Sequence, residues 1–295
     1  MITKISAALA CAALTAAMSA CSGVAAGPQA NEKTITVAEV PGFDDTVAIT
    51  GLWTALLDEH GYKLETKTVD LAAGFSGIAR GDLDGYLNAW LPTTHASYVD
   101  KYRDQLVIPE KPFFDNDRLV LAAPESVPEN TISEVVANAD KYGSKVVGIE
   151  AGAGMMKILP DVLKTYGAQD KLSIVEGSTP AALAALKDAA AKNEPVVATL
   201  WTPHWAFASM PIKALEDDLG GWPKPDGSYP VLSKKFAEKA PEVVTWMSNS
   251  KLSEEQFASL MLAVSEAKDP VEGAKKWLET PENRKTADSW FDSAS

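Results

Sequence analysis

The chain has 295 residues, with 27 Lys plus Arg against 40 Asp plus Glu for a formal net charge of -13, and 46% of its residues are hydrophobic. At roughly 100 to 200 residues per domain this length suits two lobes, and the mixture of apolar and charged residues excludes a disordered chain. The acidic balance sets nucleic acid aside as a partner, because affinity for a phosphate backbone rests on clustered Lys and Arg.

The first 20 residues read as an export leader, with Lys4 as the positive region and Ile5 to Met18 as an apolar stretch too short for a lasting membrane span. Both cysteines, Cys11 and Cys21, fall in or beside this leader, so the folded body has no disulfide framework. Met18-Ser19-Ala20-Cys21 resembles the bacterial lipoprotein signal, which would place a lipid on Cys21 as the new N-terminus and hold the protein at a membrane in the periplasm or on the cell surface. Ordinary cleavage after Ala20 or Ala26 is the other reading, and both export the protein. Residues 21–33 are small and polar, as a tether would be.

From Thr34 onward, strand-like and helix-like segments alternate, which predicts an α/β architecture with mainly parallel sheets. Thr34 to Val40 reads as a strand. Asp44, Asp45 and Thr46 then read as capping residues for a helix whose apolar face is Ile49, Leu52, Trp53, Leu56 and Leu57, ending at Gly61. Lys63 to Val69 alternates as an outer strand does, and Leu83 to Trp90 is a further short strand. Beyond Leu119 the pattern restarts with strands at Lys145 to Ile149, Leu172 to Val175 and Val196 to Leu200, and with a helix capped by Thr179 and led by Pro180. Pro160 is expected to kink or restart the helix that follows the Gly152-Ala153-Gly154 turn. After Val231 the pattern is helical, at Ser253 to Lys268 and Pro270 to Glu279. The expected organisation is a lobe of residues 34–119 with 232–295, and a second lobe of residues 120–231.

Nothing in the chain calls for an enzyme. There are only three His, His60, His95 and His204, and Gly74-Phe75-Ser76-Gly77 lacks the spacing of a nucleophile elbow. No HExxH, Cys ligand pair, phosphate loop or dinucleotide fingerprint is present, so neither a metal nor a cofactor is expected. The Gly152-Ala153-Gly154 turn is open between a structural turn and an anion site at a helix N-terminus. Tryptophan carries the stronger signal. Trp90 in Ala89-Trp90-Leu91-Pro92-Thr93-Thr94-His95 and Trp201 in Trp201-Thr202-Pro203-His204-Trp205 each stand at the carboxyl end of an expected strand, one in each unit, where open α/β sheets bind ligands. Indole faces attract cations, and a methylated ammonium has no N–H by which hydrogen bonding could select it. A helix N-terminus and a His beside such faces suit a small zwitterion.

These motifs, AWLPTTH, GIEAGAGMM and LWTPHW, closely resemble those of the substrate-binding lipoproteins of glycine betaine and other quaternary-amine ABC transporters, over essentially the whole mature chain. The resemblance implies a monomeric two-lobed fold of the periplasmic-binding-protein type II, a flytrap that delivers its ligand to a permease and its ATPase. It implies a cage of Phe43, Trp90 and Trp201 for the cation, and His95 with the backbone N–H groups of Gly154 and Met155 for a carboxylate. His204 and Trp205 read as packing residues within the motif. Phe43 stands where the family usually has Trp, and Asp45 matches an acid of choline-binding relatives. Glycine betaine or a similar methylated zwitterion is therefore the expected ligand. Choline or carnitine, or a lipid-anchored sensor uncoupled from transport, are the alternatives.

Overall fold

The computed structural model describes residues 33–292, so the leader, Cys21 and the tether as far as residue 32 lie outside the described residues. Lys33, expected in the tether, instead opens the first strand. The first unit comprises β1 (Lys33–Glu39), α1 (Asp44–Glu59), β2 (Tyr62–Thr68), α2 (Leu71–Arg80), β3 (Gly85–Leu91), α3 (Ala96–Tyr102) and β4 (Leu106–Val107). The long strand β5 (Phe114–Pro124) leads into α4 (Ile132–Ala137), β6 (Lys145–Val147), α5 (Gly154–Thr165), β7 (Ser173–Val175), α6 (Thr179–Lys192), β8 (Ala198–Thr202), α7 (Ala206–Ser209) and β9 (Ile212–Ala214). Then β10 (Asp226–Ser233) returns the chain to α8 (Lys234–Lys239), α9 (Pro241–Asn249), α10 (Glu254–Glu266), α11 (Pro270–Leu278) and α12 (Pro281–Ser289).

The strands run in the order β2-β1-β3-β10-β5-β8-β6-β7, with β4 on β10 and β9 on β5. Each unit has a parallel core, β2-β1-β3 and β8-β6-β7. The sheet as a whole is nevertheless mixed, not mainly parallel as expected, because β5 and β10 are antiparallel to every strand they pair with. These two strands carry the chain out to the second unit and back, and neighbours that run in opposite senses must pair antiparallel. The expected seams at 119/120 and 231/232 fall inside them.

Local signals mostly act where the sequence puts them, with three differences, the first two of which share one cause. Asp44, Asp45 and Thr46 are the first turn of α1, and Phe43 is its N-cap with no side-chain hydrogen bond. The two carboxylates accept instead from Trp205, Asn88 and Trp90. The cap of α6 is Ser178, whose side chain accepts from Ala181 N, because Thr179 Oγ1 donates to Glu150 Oε2 at 2.9 Å. A side chain recruited by tertiary structure is no longer available as a cap. The third difference is Pro160, which lies inside an unbroken α5. Gly74 to Gly77, weighed as a nucleophile elbow, lies within α2.

The apolar face of α1 is buried as its spacing predicts, with Trp53 2% exposed. It packs on the tail helices, where the Trp53 and Trp290 ring centroids are 5.6 Å apart, so the tail closes back on the first unit. Trp53→Ala should cost about 3–5 kcal/mol through the cavity it leaves. Urea denaturation measures this, and a cost under 1 kcal/mol would mean that the tail does not lean on this ring.

Candidate ligand-binding site

The loop after β3 is built before anything can bind to it. Trp90 N donates to His95 Nδ1 at 2.8 Å while His95 N donates to Trp90 O at 2.9 Å, so the two residues clamp each other. The carboxylate of Asp226 on β10 receives Thr93 N at 2.7 Å, Thr94 N at 2.8 Å and Thr94 Oγ1 at 2.6 Å. A backbone N–H can only donate, so His95 Nδ1 carries no proton and the neutral ring holds it on Nε2. Burial, with a smaller push from the charge of Lys157, lowers the His95 pKa to about 3. The ring therefore stays neutral and offers one N–H donor.

Alternation along β3 sets Tyr86, Asn88 and Trp90 on one face, and that face meets the first turn of α1. Tyr86 Oη lies 3.0 Å from Thr46 Oγ1, and Asp45 Oδ2 accepts from Asn88 Nδ2 at 2.7 Å and Trp90 Nε1 at 3.1 Å. Burial pushes the Asp45 carboxyl up to about 7, with Asp44 adding repulsion against the pull of its three hydrogen bonds, from the Thr46 backbone, Asn88 and Trp90. In the second unit, α5 begins at Gly154, so the N–H groups of Gly154 and Met155 precede any intrahelical acceptor and have no partner among the described residues. Trp201, one residue before the end of β8, stands opposite Leu119 on β5.

These pieces meet around one cavity of about 360 Å³, measured to include its open mouth. Phe43, Asp45, Trp90 and His95 line it from the first unit, Gly154, Met155 and Trp201 from the second, joined by Tyr86, Thr94, Leu119, Ile149 and Ala153. Phe43 meets Trp201 edge to face at a centroid distance of 6.3 Å. His204 and Trp205 do not line the cavity. His204 packs behind Trp201 at 4.7 Å with its ring buried, and Trp205 reaches across to Asp44. Sequence reasoning missed Tyr86, although the alternation that places Trp90 also places Tyr86 on the same face. Leu119 and Ile149 carry no local signal, since only strand pairing and helix packing bring them here. Among the described residues no cluster of His, Cys, Asp or Glu could hold a metal ion, and no helix is long and apolar enough to cross a membrane.

Two α/β units joined by crossing strands, with an apolar cavity where they meet, define a two-lobed solute-binding protein. The chain belongs to the family of substrate-binding domains of ABC-type glycine betaine transport systems, whose model matches residues 33–280. It is similar to the glycine betaine/carnitine transport binding protein GbuC of Listeria monocytogenes, 31% identical over 134 residues, a match that spans 45% of each chain and so about half the length of that relative. The structure of lactococcal OpuAC, closed and complexed with glycine betaine, superposes with a TM-score of 0.79 at 27% identity, covering 88% of this chain and 100% of the other. ProX of Borrelia burgdorferi shares the fold, with a TM-score of 0.77 at 24% identity over 88% of this chain and 100% of that one.

The two units approach each other closely at Gly154, since a Cβ there would lie 2.1 Å from Thr94 O and 2.7 Å from Thr94 Cγ2. Gly154→Ala should therefore leave each unit folded but hold them apart, with an unchanged melting temperature in the absence of ligand. With saturating ligand, the radius of gyration from small-angle scattering should rise relative to wild type, and an unchanged value would show that the contact does not govern the approach.

Proposed function

We propose that the chain is the extracytoplasmic receptor of an ABC importer, without catalysis of its own, and that its cavity takes glycine betaine or a similar methylated zwitterion. One observation carries this reading: the aromatic faces of Phe43, Trp90 and Trp201 share a cavity with the Nε2–H of His95 and the two unpaired N–H groups at the start of α5. The rings supply cation–π attraction, worth roughly 0.5–2 kcal/mol each. The three donors supply a neutral, dipolar site for a carboxylate. Such an arrangement gives each end of a zwitterion its own partner.

The lobes in this reading are residues 34–119 with 232–295, and residues 120–231, hinged where β5 and β10 cross. Ligand contacts from both sides would favour the closed form, which a permease and its cytoplasmic ATPase would then receive. The leader and lipidation of Cys21 would hold the protein, as a monomer, at the membrane surface.

Isothermal calorimetry tests the ligand. Glycine betaine should bind with saturation, and Trp90→Ala or Trp201→Ala should each cost more than about 1 kcal/mol. No heat with glycine betaine, choline or carnitine would defeat the reading.

Asp45 favours choline as the second reading, because a buried acid can balance a cation that lacks its own carboxylate. The sign follows from linkage. Its carboxyl titrates near 7 in the free protein, and a bound cation stabilises the ionised form. Choline affinity should therefore rise with pH up to about 7 and level off above it. Glycine betaine, whose carboxylate offsets the field, should show a shallower slope. Asp45→Asn should flatten both, and a choline titration that stays pH-independent in wild type would remove Asp45 from the cation's surroundings.

A further inference from the structure

We propose that Asp44 and Trp205 form a latch between the two lobes, positioning residues that hold the cavity shut without touching its contents. The proposal rests on the reading that this cavity takes a quaternary amine. Asp44 stands between Phe43 and Asp45, both in the cavity wall, and Trp205 follows Trp201 by four residues in the loop after β8. Neither Asp44 nor Trp205 lines the cavity. Yet Trp205 Nε1 donates to Asp44 Oδ2, and His204 Nε2, buried and without a hydrogen bond, lies 3.7 Å from the same oxygen. Among the described residues, Trp205 is also the one partly buried hydrophobic side chain packed against both hydrophobic clusters, that of α1 with the tail helices and the one that runs from α2 and β3 of the first unit through β5 and β8 to α5.

The coupling to ligand is built into the covalent chain. Whatever draws Phe43 and Trp201 onto one cation also carries the neighbouring Asp44 toward the neighbouring Trp205. The hydrogen bond they make exists only when the lobes are together, and it is charge-assisted where Asp44 is ionised. A contact made only in the closed state slows opening more than it speeds encounter, so its loss falls on dissociation. Two other side-chain hydrogen bonds between the same units differ in kind. Tyr98 Oη to Gly152 O at 2.7 Å and Lys157 Nζ to Ser97 Oγ at 3.2 Å lie on the exposed rim and adjoin no aromatic wall.

The test is stopped-flow tryptophan fluorescence on the purified full chain with glycine betaine, choline and carnitine, comparing wild type, Trp205→Phe, Asp44→Ala and Asp44→Asn. Trp205→Phe keeps a ring and loses the donor, and Asp44→Ala loses the acceptor. Each should raise the dissociation rate about tenfold, leave the association rate within about threefold and leave the betaine-to-choline affinity ratio unchanged. Asp44→Asn retains an acceptor oxygen and should stay within about threefold of wild type. Dissociation rates within twofold of wild type for both Trp205→Phe and Asp44→Ala would overturn the latch, as would a changed ligand ratio, which would make these residues part of the cavity. A wild type that binds none of the three ligands defeats the ligand reading instead. The latch is then judged by nuclear magnetic resonance of the ligand-free protein: slower exchange of the Trp205 indole proton in wild type than in Asp44→Ala upholds it, and equal exchange in the two overturns it.

Discussion

The approach of Gly154 to Thr94 is the constraint on which the rest of the molecule turns. A helix N-terminus from one unit is seated against the backbone of a loop from the other, closer than any side chain would allow. That contact brings the unpaired N–H groups of α5 beside His95, the residue after Thr94. Everything behind the loop serves to hold it rigid enough for such an approach. Asp226 collects three donors from Thr93 and Thr94, and the reciprocal Trp90 and His95 bonds close the five-residue span. Buried polar groups are tolerated here because the backbone N–H groups of Thr93, Thr94, His95 and Ala96 each have a defined acceptor.

The two ends of the cavity follow different electrostatic rules. At the end formed by His95 and α5 there is no full positive charge, since burial keeps the imidazole neutral. An anion there would be held by dipoles in a dry setting, where fixed dipoles act more strongly than they would in water. At the other end Asp45 is surrounded by Asn88 and Trp90, and burial pushes its carboxyl up to about 7. A group so poised responds to the charge of its neighbour. In the reading proposed above, the same acid that a zwitterion can leave protonated is available to a bare cation, so ligand choice would be made at this end.

The first turn of α1 shows how densely one segment is used. Phe43, Asp44 and Asp45 face three different directions: toward Trp201, toward Trp205 and toward Asn88 and Trp90. The loop after β8 has the same economy, with Trp201 in the cavity, His204 packed behind it and Trp205 bridging two cores. Because residues so near in sequence point to different partners, the state of the cavity is tied to the packing outside it by one peptide bond at Phe43 and by four after Trp201.

Much of this was legible in the chain because it depends on local periodicity and on residue chemistry. The 3.6-residue face of α1, the strand that carries Trp90, the turn that starts α5 and the tail helices all follow from patterns within a single segment. The aromatic and His candidates stood out because they sit at strand ends, where no core position requires them. Residues whose role comes from a partner far along the chain left no such trace. Leu119 enters the cavity wall through its register opposite Trp201, Thr179 gives up its cap to Glu150, and Trp205 gains its partner from a helix 161 residues away. The antiparallel sense of β5 and β10 is likewise fixed by where the chain has to cross between lobes. Periodicity is a property of neighbours in sequence, and determined the elements and the candidate residues. Which of those residues meet is decided only when two lobes close on one another, because that distance is set by packing and not by sequence separation.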